Sequence, residues 1–224
     1  MKNLKNILLL KQLYTLKNIG FTYTSVMPFV DNETTLELSS DLTNLQKQAL
    51  NCHLCQLSKT RTNVVFGEGN PNANLMIVAE APGEQEDLTA KVFVGRSGEL
   101  LDKMITNVLQ MNRKDLYIAN IVKCRPPNNQ TPKEEYAYTC LPFIQKQIEI
   151  IKPKIIISLG ATAYRYLTND TTSLNKIRGN IYKQNGYTII PTYHPSYLLR
   201  NPSAKKYVFE DLKLIKSLLE KYNI

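Results

Sequence analysis

Four short runs constrain this chain more than anything else in it. "LMIVA" (75–79), "YIANIV" (117–122), "IIISL" (155–159) and "YTII" (187–190) are apolar and mostly β-branched. Runs of that length with no polar alternation are typical of strands covered on both faces, and such strands belong to parallel sheets. Between them lie helical stretches. "SGELLDKMITNVLQM" places leucines and methionines at helical spacing, and "ATAYRYL" and "KKYVFEDLKLIKSLLEKY" supply two further helices. Thr131-Pro132-Lys133-Glu134 has the form of a capping box with proline at the first helical position, opening a helix toward Ile151. Strands alternating with helices specify an α/β sandwich around a parallel sheet. Ligands bind such sheets beyond the carboxyl ends of the strands, here after Ala79, Val122 and Ile190.

The alternation begins at about Asp41. Residues 1–40 read as an N-terminal arm, partly helical, with Leu4, Ile7, Leu8, Leu13 and Leu16 at helical spacing and a polar end, "DNETTLELSS". The longest apolar run of the arm is broken by Lys11 and no small-residue cleavage site follows, which argues against a secretory signal. No apolar run approaches the roughly 20 residues of a membrane span. The expectation is a cytoplasmic protein, monomeric and without membrane contact, whose cysteines are thiols or ligands and not disulfides. Its formal charge of +9 favours an anionic partner, nucleic acid being the commonest, although a basic soluble protein can carry this charge with no such partner. Against that charge, "AEAPGEQED" (79–87) is unexpected. It gathers Glu80, Glu84, Glu86 and Asp87 at the mouth of a strand, around a tight Pro82-Gly83 turn.

The cysteines come as Cys52-x-x-Cys55, then Cys124 and Cys140 with fifteen residues between them. All four sit in polar or turn-like surroundings, which favours a metal site over four unrelated thiols, and the spacing fits zinc and an iron–sulfur cluster equally. His194 opens "HPSYLLRNP" directly after a strand. Tyr197, Leu198 and Leu199, with Arg200 nearby, read either as an apolar, basic wedge for the minor groove or as leucines reaching the core. Asn120 interrupts an apolar strand, as a satisfied core amide or as a reader of a ligand edge. Phe93, in "KVFVGRSG", is a candidate for stacking on a base and equally for core packing. Glu84 and Asp87 read as solvated or helix-terminal charges.

Together these residues resemble the family 4 uracil-DNA glycosylases, the iron–sulfur-containing bacterial and archaeal type. The resemblance runs from about Leu45 to Asn201 and rests on the four cysteines, "EAPGEQED", "FVGRSGELLDKMI", "NIVKCRPPNN", "ISLGATA" and "PTYHPSYLLRNP", in that order. It implies a three-layer α/β/α sandwich around a central four-stranded parallel sheet over residues 41–224, with Cys52, Cys55, Cys124 and Cys140 ligating one structural [4Fe–4S] cluster. It implies a monofunctional glycosylase of base excision repair that flips uracil out of single- or double-stranded DNA and hydrolyses its glycosidic bond. The uracil site would comprise Glu80, Ala81, Glu86, Phe93, Asn120 and His194. Phe93 would stack on the base, the Asn120 amide would read its N3–H and O4, and His194 would bond O2. Glu86 would wall off the thymine methyl. Ser196, Leu198 and Arg200 would meet DNA, Leu198 filling the gap left by the base.

Where the better-known uracil glycosylases have a water-activating aspartate, this chain has Ala81, so the resemblance assigns catalysis to Glu80 and His194. The chain also departs from the family pattern at Ala79, at "AKVFVG" and at Gln130, without losing a proposed pocket residue. No histidine precedes "HPS" in "NKIRGNIYKQNG", unlike a related branch that cross-links to abasic DNA. The rival reading from another class is a non-catalytic, metal-containing DNA-binding module of the same fold.

Overall fold

The four apolar runs form the centre of one sheet. The computed structural model describes residues 37–184 and 186–222, so the arm expected over 1–40 lies outside them apart from its last four residues. Strands β1 (Glu68–Gly69), β2 (Leu75–Ala79), β3 (Tyr117–Asn120), β4 (Ile155–Leu159), β5 (Tyr182–Gln184) and β6 (Tyr187–Thr192) assemble in the order β1-β3-β2-β4-β6-β5. The inner four are parallel, with Met76 opposite both Tyr117 and Ile156, and Ile156 opposite Ile189. The expected four-stranded parallel sheet is therefore the core of a six-stranded mixed one. β1 and β5 add to its two edges antiparallel. At two and three residues they are too short to carry a period in sequence, and short edges of this kind resist further pairing.

Alternate residues of each inner strand face opposite layers. Met76 and Val78 pack against helices α1 (Leu42–Leu50), α4 (Glu134–Ile151) and α5 (Ala161–Thr168), through residues such as Leu45, Phe143 and Tyr164. Leu75, Ile77 and Ala79 face α3 (Arg96–Met104) and α8 (Lys205–Lys221), through Leu101, Leu212 and Ile215. Helix α3 widens into a π-turn over Ile105–Leu109 and stops at Gln110, in a left-handed conformation.

Two local expectations need correction. The capping box at Thr131 does not form. Helix α4 begins at Glu134, after an extended Lys133 with no side-chain cap. Gln130 and Thr131 instead line the rim of a cavity, and the helix starts only once the chain has left that rim. Its first turn carries Glu134 and Glu135, which suit the positive end of the helix dipole. Strand β3 ends at Asn120, two residues early, although Ile121 and Val122 remain tied through their N–H groups to the carbonyls of Ala79 and Glu80.

Strand β2 lies between β3 and β4, so successive strands add on opposite sides of it. That arrangement opens a crevice beyond the carboxyl ends of the sheet. No described helix is long and apolar enough to cross a membrane.

Candidate active site

A cavity of about 450 Å³ occupies that crevice. Each inner strand delivers residues to it: Glu80 and Ala81 follow β2, Asn120 ends β3, Leu159 and Gly160 close β4, and His194 follows β6. Glu86 from α2 (Glu84–Thr89), Phe93 from the loop before α3, and Ser196, Tyr197 and Arg200 from α7 (Pro195–Arg200) complete the wall. The six residues expected to hold a base thus share one cavity, as do two of the three expected to meet DNA.

The protonation of His194 follows from its place in the chain. It is the N-cap of α7, where its Nδ1 accepts from the Ser196 N–H at 3.1 Å, with the Ser196 hydroxyl 2.8 Å away. A ring nitrogen that accepts carries no proton, so the neutral tautomer has its hydrogen on Nε2. Burial, with Arg200 nearby, pushes the imidazole down to about 4. At neutral pH the ring is an uncharged Nε2–H donor held from behind by Ser196.

Phe93 lies 5.5 Å from the His194 ring, nearly parallel to it. Its backbone is held at φ +48°, a conformation that costs a non-glycine residue on the order of 1 kcal/mol and persists only where its surroundings impose it. Two neighbours impose it here. Arg113 donates to the carbonyls of Val92 and Phe93 while Glu68 and Asp102 grip the same guanidinium. Gly98 lets the Phe93 carbonyl rest on α3, where a Cβ would come within 1.9 Å of that oxygen.

The four acids of "AEAPGEQED" divide by environment. Glu80 lines the cavity, and among the described residues its carboxylate has no hydrogen-bond or ion-pair partner. Glu86 accepts from the N–H groups of Gly83 and Val94, stapling the turn after β2 to the Phe93 loop. Its carboxylate is committed to backbone as well as facing the cavity. Asp87 is helix-terminal, in the first turn of α2, but it is not solvated. It is 1% exposed and accepts from the N–H groups of Thr62 and Asn63, an arrangement invisible in sequence because the partners lie about 25 residues away. Glu84 is exposed and pairs with Arg125.

Asn120 is buried at the cavity wall, and among the described residues its side-chain amide has no protein partner. Leu198 departs from its expected role. It is 1% exposed and packs in the core layer of α3 and α8, because the segment after His194 is a helix, and a helix turns that position inward. The apolar side chains this helix presents outward are Tyr197 and Leu199, at 38% and 42% exposure.

The four cysteines line a second cavity on the other side of β3, together with Arg61 and Lys123. Arg61 donates to Cys124 Sγ at 3.1 Å and to the Cys52 carbonyl, and the Lys123 N–H meets Cys140 Sγ at 3.3 Å. No group of three His, Cys, Asp or Glu among the described residues is arranged to hold a single metal ion. Lys123 is fully buried, and its Nζ donates to the Asn120 carbonyl and to Gln147.

A model of the uracil DNA glycosylase superfamily matches residues 66–213. The chain is 47% identical over 174 residues to a type-4 uracil-DNA glycosylase of Thermotoga maritima, covering 76% of this chain and 90% of that one. The chain belongs to the type-4 uracil-DNA glycosylases. A second such enzyme, from Saccharolobus solfataricus, is 45% identical over 75% of this chain and 82% of its own. A third, from Sulfurisphaera tokodaii, is 42% identical over 79% and 84%. This family member's sequence gave little sign of Arg113, Arg61 or Lys123. Only a lysine inside an apolar run, directly before Cys124, hinted at the last.

Proposed function

We propose that residues 41–224 form a uracil-DNA glycosylase domain that takes uracil out of the DNA stack and hydrolyses its glycosidic bond, the first step in repairing deaminated cytosine. The observation that carries this is the convergence of Asn120, Phe93, His194 and Glu80 on one cavity at the carboxyl ends of the sheet. The Phe93 ring, backed by that of His194, offers a face on which a base can stack, with the strained Phe93 backbone already fixed before substrate arrives. The Asn120 amide, without a partner among the described residues, accepts from uracil N3–H and donates to O4. Cytosine presents a donor in place of O4 and leaves the amide mismatched.

Breaking the C1′–N1 bond sends the bonding pair into the base, where charge collects on O2. The Nε2–H of neutral His194 donates to that oxygen, an interaction typically worth 10²–10³ in rate. The sugar becomes oxocarbenium-like, and the Glu80 carboxylate, which no cation among the described residues pairs with, stabilises that charge or orients the water that adds at C1′. Ala81 leaves no second carboxylate beside it. Ser196 acts by fixing the His194 tautomer, and Glu86 by holding two pocket loops together.

The four cysteines fit a [4Fe–4S] cluster. They share one cavity, and N–H donors face two of the sulfurs, as is common around thiolate-held clusters. Such a cluster would tie the segment around Cys52 to the end of β3 and to α4. Arg61 and Lys123 would supply positive charge beside four thiolates.

The test is incubation of the protein with a uracil-containing oligonucleotide, followed by alkali. Strand cleavage at the uracil position is the expected result. Tight binding without alkali-labile sites would favour the non-catalytic DNA-binding module instead.

A further inference from the structure

Beside the mouth of the cavity, a row of rings and cations leads away from the site. The Tyr197 ring stacks on that of Tyr193, with centroids 4.9 Å apart and planes at 23°. The Arg178 guanidinium lies 5.9 Å from the Tyr193 ring and 5.0 Å from that of Tyr207, and Lys206 Nζ lies 4.9 Å from the Tyr207 ring. The row is rigid at its centre. Arg178 also bonds the Tyr207 carbonyl and Asp211, which is 2% exposed and further held by the Thr192 hydroxyl. Tyr197 and Tyr207, the two outer tyrosines, are 38% and 40% exposed. Lys206 belongs to the row, Arg200 and Lys205 stand near it in the chain, and none of the three makes an ion pair among the described residues.

We propose that this row is a stacking platform for unpaired nucleotides next to the flipped base, so that the enzyme grips single-stranded DNA by a means separate from its hold on duplex. Exposed aromatics interleaved with cations bind single strands with little sequence preference, because every base has a face to stack and every nucleotide a phosphate to pair. A duplex keeps its bases stacked on one another and offers only phosphates to the same surface. The row begins at Tyr197, which lines the cavity, so its occupant is the uracil-bearing strand. The proposal rests on the glycosylase reading for that choice of strand, and not for the stacking itself.

The test uses Tyr207→Ala and Tyr207→Trp in the full chain, since Tyr207 is exposed and outside the cavity. Anisotropy titrations with a uracil-free oligothymidylate and with a uracil-free duplex of equal length give affinity and its salt dependence. Alkali cleavage of a uracil-containing duplex gives excision. Tyr207→Ala should weaken single-strand binding roughly tenfold or more, with an unchanged salt slope because no charge is removed. Its duplex binding and duplex excision should stay within about twofold, and Tyr207→Trp should restore the single-strand affinity. Equal loss on both DNAs, or no loss on either, overturns the platform. If the wild-type protein releases no uracil the glycosylase reading fails instead, and oligothymidylate binding still decides the platform.

Discussion

Replacing Gly98 with alanine should test how much of the rate depends on Phe93 being held in place. The added Cβ would sit 1.9 Å from the Phe93 carbonyl oxygen and 2.4 Å from its carbon, both backbone atoms. Relieving the oxygen contact even to 3.0 Å, still tight for a Cβ, requires about 1.1 Å of movement. Arg113 holds the same carbonyl and is itself held by Glu68 and Asp102, so the loop cannot swing away freely. Helix α3 and the Phe93 loop must therefore part, and the stacking ring moves with the loop. A misplacement of about 1 Å at a positioned group can cost on the order of 10² in rate. On stability, overpacking of about 1–3 kcal/mol opposes a helix-propensity gain of up to about 1 kcal/mol, so the melting temperature should fall only modestly. Single-turnover excision from a uracil oligonucleotide, with a thermal melt on the same sample, separates the two effects. A Gly98→Ala protein that excises uracil at the wild-type rate would refute the reasoning. So would a rate that drops only in proportion to the folded fraction.

Four other outcomes are expected. Asn120→Asp should slow uracil excision by up to about two powers of ten and relax discrimination against cytosine, because the carboxylate faces O4 without a donor yet accepts an amino group. Matched uracil and cytosine substrates check this, and near-normal uracil activity would mark Asn120 as a core amide. His194 has a folded pKa of about 4, below its unfolded 6.5. The unfolded chain therefore takes up the extra proton first as pH falls. The stability contributed by neutral His194 is whole above pH 6.5 and is lost as pH falls toward 4. On account of this group kcat/KM should hold level from pH 8 to about 5 and fall through about 4, whereas an acid limb near 6.5 would contradict the half-buried, Ser196-held ring. His194→Ala should cost 10²–10³ in rate and leave the choice of base unchanged, since both pyrimidines carry O2. Cys124→Ala should lower iron content, visible absorbance and soluble yield together, because metal binding of this kind is folding free energy. Full activity and normal stability in a cluster-free Cys124→Ala protein would exclude the four-thiolate assignment.

Much of the site could be read from the chain because its chemistry sits where strands end. Apolar runs of five or six residues must be covered on both faces, and that requirement fixes a parallel sheet and places functional loops at its carboxyl edge. Asn120, Glu80 and His194 are each the last residue of an inner strand or lie within two residues of its end, close to where the apolar runs placed the carboxyl edge of the sheet. Phe93 was legible as a candidate only, since nothing local distinguishes a stacking ring from a core ring.

What the sequence determined by itself was the sheet, the order of its helices and the residues gathered at its end, because these follow from hydrophobic period and short-range spacing. The tertiary structure decided the rest. Whether Leu198 reaches DNA depended on the helical phase after Pro195, which turns it inward and leaves Tyr197 and Leu199 outside. The acids after β2 are alike in sequence, yet Asp87 is buried beneath residues 62–63, Glu86 clasps two loops and Glu80 faces the cavity without a partner among the described residues. Arg113 stands about 20 residues from the carbonyls it holds and 45 from Glu68. The charge and geometry of a side chain become specific only when chain closure brings such distant partners together, and no local pattern records which partner that will be.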